Sequence, residues 1–112
     1  MPNPSPITRA SYLADNLSLV PISGTPPRIA YRGVAGGMLF IDTVSGATSV
    51  TWYVSHDESG SLVPAADASG NALTVSIVAG KAYEIPGSLY GAIQISPVLN
   101  AGSATGKATL KS

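Results

Sequence analysis

The single histidine, His56, stands directly before Asp57 and Glu58, so an imidazole adjoins two carboxylates. An imidazole oriented by a carboxylate can serve as general base toward a serine nucleophile, and serines are plentiful in this chain. Two features weigh against that chemistry. Neighbouring residues of a strand face opposite sides, so His56 and Asp57 should not pair. No Gly-x-Ser-x-Gly elbow presents a nucleophile. The stretch His56–Ser61, His-Asp-Glu-Ser-Gly-Ser, reads better as a solvated hairpin turn. No catalytic residue is expected.

Asp67-Ala-Ser-Gly-Asn71 places oxygen-bearing side chains at alternate positions, as a calcium loop does. Such a loop also needs a bidentate carboxylate, and the next acidic residue is Glu84. The same residue types are the usual turn formers, which is the simpler reading. Asp15, Asp42, Asp57, Glu58, Asp67 and Glu84 are all the acids available for a glycosidase pair. That chemistry needs two carboxyls about 5–10 Å apart in a cleft, which so short a chain rarely builds. Arg32-Gly-Val-Ala-Gly-Gly37 is glycine-rich, but a strand follows it rather than the helix that a phosphate-binding loop requires. Asn16-Leu-Ser18 matches a glycosylation sequon, which carries no weight without a secretion signal. No metal and no cofactor are expected.

The elements that would position these residues are strands. Gly, Pro and runs of Ser and Thr interrupt every segment long enough for three helical turns. Val50, Trp52 and Val54 alternate with Ser49, Thr51, Tyr53 and Ser55. The same period of two links Leu73, Val75 and Ile77, then Leu89, Ile93 and Ile95, then Ala108 and Leu110. Leu17–Ile22, Arg28–Val34 and Ala82–Ile85 add further strands. Met38–Thr43 is apolar on both faces, as in a central strand or one covered by a partner. Trp52, between valines of its own face, is assigned to the core rather than to a sugar-stacking platform. The expected fold is all-β: an antiparallel β-sandwich, jelly-roll-like, of about eight strands.

The composition narrows the function further. The 112 residues carry six basic and six acidic side chains, so charged residues make up 11% and the net charge is zero. An average soluble domain has roughly 25%. No nucleic-acid or membrane partner is expected from such a balance. The absence of cysteine removes disulfides, zinc ribbons and thiol catalysis. The opening Met-Pro-Asn-Pro-Ser-Pro has neither the basic nor the apolar segment of a secretion signal, so the expectation is folding in a cytoplasm. A neutral surface this poor in charge tends to associate.

Residues 1–16 form the first expected unit, an extended arm set by Pro2, Pro4 and Pro6, and residues 17–112 form the sandwich. The arm is either a free tail or laid on a neighbour; Ile7, Tyr12 and Leu13 are apolar enough for the second. If the first and last strands are neighbours, Arg9, Arg28 and Arg32 join Lys107 and Lys111 in a weakly basic patch. An acidic protein surface or lysine protection of a sheet edge accounts for it better than nucleic acid. Tyr31, between Arg28 and Arg32, is either an interface anchor or a core residue, since Tyr and Arg are enriched at contact hot spots. The candidate contact residues are Tyr12, Leu13, Arg28, Tyr31 and Arg32.

From Thr51 onward the layout resembles that of small structural proteins of tailed bacteriophages. The residues are Thr-Trp-Tyr-Val-Ser-His-Asp, Leu-Val-Pro, Asp-Ala-Ser-Gly-Asn-Ala-Leu-Thr-Val, Ala-Gly-Lys-Ala-Tyr-Glu-Ile-Pro and a closing Gly-Lys-Ala-Thr-Leu-Lys-Ser. These are strand-and-turn patterns over a little more than half of the chain. Proteins of this type are cement or decoration proteins, and some head fibres: small β-domains that clamp capsid subunits together. The resemblance implies a non-enzymatic virion protein, made in the host cytoplasm and bound to the outer capsid surface. Its partners would be the major capsid protein and further copies of itself, as a trimer or dimer. The competing expectation is a carbohydrate-binding module of a head fibre or host-adhesion protein. It would use Tyr53 or Tyr90, with a cation at Asp67.

Overall fold

The computed structural model describes residues 11–111, without the side chains of Ser11 and Tyr12. Nine strands run in chain order. They are β1 (Ser11–Leu19), β2 (Ile29–Ala30), β3 (Gly36–Ser45), β4 (Ser49–Ser55) and β5 (Val63–Pro64), then β6 (Thr74–Ser76), β7 (Lys81–Glu84), β8 (Gln94–Leu99) and β9 (Ser103–Lys111). A 3₁₀ turn, Gly87–Gly91, lies between β7 and β8.

Two antiparallel sheets pack face to face. The first has the order β1-β9-β3-β7, and the second runs β2-β8-β4, with both β5 and β6 on the far edge of β4. β5 faces Tyr53 and Val54 while β6 faces Ser49–Thr51, so the two are halves of one edge position. Counted so, the fold has eight strand positions. The first strand lies beside the last in one sheet and the second beside the penultimate in the other, which is the jelly-roll arrangement.

Period-two patterning explains the core. Ala104, Gly106, Ala108 and Leu110 of β9 point inward, as do Leu39 and Ile41 of β3. Val50 and Trp52 of β4 and Ile95 and Leu99 of β8 meet them in one cluster. Trp52 is buried, as expected of a core residue. β3 is an interior strand, so its second apolar side, Met38 and Phe40, lies on the outer face of its sheet. Gly106 sits where a Cβ would run into the Phe40 carbonyl oxygen, and both neighbouring strands bulge beside it. The bulges fall between Ala14 and Leu17 in β1 and between Ile41 and Thr43 in β3. Asn16, in the first, takes a positive φ of 55°.

Several boundaries differ from expectation. The division at residues 16 and 17 falls inside β1, because residues 11–14 already pair with β9. Residues 1–10, the rest of the expected arm, lie outside the described part. Leu89–Ile95 is not one strand: Pro86 leads into the 3₁₀ turn, and β8 starts at Gln94. β8 then runs through Pro97. Trp52, opposite Pro97, turns both backbone groups away from β8, donating to the Leu73 carbonyl and accepting from the Ala65 amide. The proline nitrogen therefore faces the side that β2, only two residues long, does not reach.

Candidate interaction groove

β1 and β2 are the outermost strands of their sheets, and a groove of about 340 Å³ opens between them. Its floor is apolar because inward positions of three strands converge there: Leu17 of β1, Ile29 of β2 and Leu110 of β9, with Val34 from the following turn. Leu13 forms one wall and stays 71% exposed. Arg28 and Arg32 stand on the other side. Val34 reaches the floor because its amide donates to the Tyr31 carbonyl across a tight turn, in which Gly33 takes φ 77°.

The two arginines differ. Arg28 donates through Nη1 to Gln94 Oε1 at 3.0 Å and through Nη2 to the Gly60 carbonyl at 2.6 Å, which ties the 56–61 turn to β2 and β8. Both acceptors are neutral, and no carboxylate pairs with Arg28 among the described residues. Arg32 is exposed, with no hydrogen bond or ion pair recorded among the described residues. Among the described residues no acidic side chain lines the groove.

Of the five candidate contact residues, Leu13, Arg28 and Arg32 come together here. Tyr31 does not. It is 0% exposed, inside the sandwich, because it continues the inward alternation of Ile29. The expectation that it contacts a partner is corrected to the core alternative. The Tyr31 hydroxyl finds no hydrogen-bond partner among the described residues, and burial raises its pKa above the ordinary 10.0. The side chain of Tyr12 lies outside the described part; its backbone pairs with Leu110. The floor residues Leu17, Ile29, Val34 and Leu110 were not singled out from the sequence. Each sits in an ordinary alternating pattern, and only the pairing of β1 with β9 brings them together.

The remaining candidates are placed as follows. His56 Nε2 lies 3.8 Å from Asp57 Oδ2, contrary to the expectation from strand alternation. β4 ends at Ser55, so the two residues belong to a turn, where alternation lapses. Both side chains are well exposed, which makes the contact weak. The Ser55 hydroxyl donates to the Asp57 carbonyl at 2.7 Å, not to His56. A second, more apolar cleft of about 470 Å³ lies beside His56, between β5 and the 3₁₀ turn, with Val63 and Leu89 in its walls. Asp67 Oδ1 accepts from the amides of Ser69 and Asn71, each at 2.9 Å, so this carboxylate caps its own turn. Among the described residues no three potential metal ligands cluster. Tyr53 lies on the outer side of β4 and Tyr90, 71% exposed, on the 3₁₀ turn.

β1 and β9 are neighbours, which places Lys107 and Lys111 beside the first strand. Lys107 Nζ lies 3.6 Å from Asp42 Oδ1, beside the β3 bulge. Arg9 lies outside the described residues. No helix among the described residues is long and apolar enough to cross a membrane. Comparison with protein-family models, with curated proteins and with solved structures returns no match to this chain.

Proposed function

We propose that this protein is a non-enzymatic virion structural protein, a cement or decoration subunit that binds the outer capsid surface and stabilises contacts between capsid subunits. The observation that carries the reading is the groove between β1 and β2. It combines an exposed leucine, a buried apolar floor and arginines without carboxylate partners among the described residues, on a chain with little charge elsewhere. Covering such a surface removes apolar area at ~25 cal/mol per Å² while desolvating few charges. Repeated around a shell, or delivered by a dimer or trimer, modest contacts gain by avidity. Residues 1–10 precede β1, and on this reading they serve as an extended Pro-rich arm that would reach a neighbouring subunit.

Cosedimentation with purified capsids, followed by imaging of decorated particles, tests this. Saturable binding at regular surface positions is expected, and weaker binding after removal of residues 1–10, a truncation that leaves β1 intact. Failure to decorate capsids, together with specific binding on a glycan array, would replace this reading with carbohydrate recognition.

A further inference from the structure

We infer that the groove between β1 and β2 takes an extended segment of the capsid protein in which a carboxylate side chain lies next to apolar ones. This rests on the reading of the chain as a capsid-binding subunit and specifies the chemistry of what it binds.

Charge complementarity selects the occupant. Arg28 and Arg32 bring two positive charges to one groove whose lining, among the described residues, contains no acid. Arg28 is held in place by Gln94 and Gly60, so its guanidinium is oriented before anything binds. Arg32 is exposed and makes no hydrogen bond or ion pair among the described residues, so it can take a carboxylate in the bidentate geometry that guanidinium favours. Residues 1–10 of a second copy fit poorly, since they contain Arg9 and no acidic residue. The apolar floor of Leu17, Ile29, Val34 and Leu110 and the Leu13 wall supply the complementary half, places for side chains flanking the carboxylate. The groove lies between the edge strands β1 and β2, so an extended segment can lay alternate side chains into it; the β1 bulge and the two-residue β2 leave side chains rather than a long backbone ladder to hold it.

The test uses the whole chain and purified capsids. Arg32→Glu and Leu13→Ser change exposed positions, and circular dichroism should show both variants folded. Arg32→Glu is expected to weaken capsid binding roughly tenfold or more, Arg32→Lys to weaken it less, and Leu13→Ser to weaken it several-fold. Raising salt should weaken the wild type more than Arg32→Glu. A photo-crosslinker at position 13 should capture a capsid segment with Asp or Glu within about three residues, the reach across an extended strand. If wild type does not bind capsids, the functional reading fails. If wild type binds but both variants bind equally well, or the crosslink falls on residues 1–10 or on a segment without acid, the groove inference is overturned while the functional reading stands.

Discussion

Tyr31 shows what a single side chain can cost and contribute. Its ring fills the core, yet its hydroxyl is buried without a partner among the described residues. A buried, unpaired hydroxyl typically costs ~1–3 kcal/mol. Tyr31→Phe keeps the ring and removes the hydroxyl, so its thermal midpoint should equal or exceed the wild-type value by a few degrees, measured by calorimetry. The pH dependence has a definite sign. Burial raises the phenol pKa above 10.0, so folding favours the neutral form. That contribution is complete below pH 10 and is lost as pH rises through the folded-state value. The advantage of Tyr31→Phe should therefore widen in alkaline denaturation, and a gap that stayed constant across pH 9–12 would refute the assignment.

At the scale of elements, one exposed asparagine joins two loops. Asn100 Oδ1 accepts from the amides of Thr48 and Ser49 at 3.0 and 3.1 Å, and its Nδ2 donates to Thr48 Oγ1 at 2.8 Å. This clasps the β3–β4 turn to the β8–β9 turn, which connect strands of opposite sheets. Asn100→Ala should lower unfolding free energy by about 1–2 kcal/mol, read from urea midpoints, with the far-UV spectrum unchanged.

The same scale shows what the sequence discloses. β4, β6 and β9 are legible because apolar residues alternate between clear turns, as at Val50, Trp52, Val75 and Leu110. β8 is only partly legible. Pro97 marks a strand end in one dimension, and only the shortness of β2 makes it harmless. β5 is hidden, and so is its union with β6. β5 has only two residues and shows no period, whereas the alternation of Leu73, Val75 and Ile77 marks β6; that the two make one edge follows only because β4 lies alongside both. The candidate groove was legible in its exposed members, Leu13, Arg28 and Arg32. Its floor was not, since it depends on the register of β1 against β9.

At the scale of the whole molecule, low charge density leaves association to shape and to a few fixed cations. The outer side of β3 adds Met38 and Phe40 to this surface, flanked by Lys107 and Glu84 on neighbouring strands. That both sides of Met38–Thr43 are apolar follows from the sequence; that the second side faces outward follows from the sheet order.

The sheet margins carry a consequence for growth in number. β1 is interrupted by its bulge after Ala14, β2 is two residues long behind Pro26 and Pro27, β5 ends in Pro64, and β7 gives way to Pro86. Each device denies an incoming strand a long ladder of hydrogen bonds. At high concentration the protein should therefore stay free of fibrils, with no thioflavin signal in a seeded incubation. Restoring a straight β1 by deleting Asn16 should bring that signal up if the bulge is the guard. On the proposed reading as a capsid-bound subunit, such margins would keep the stoichiometry finite: copies would accumulate until the places for them are full, and then stop.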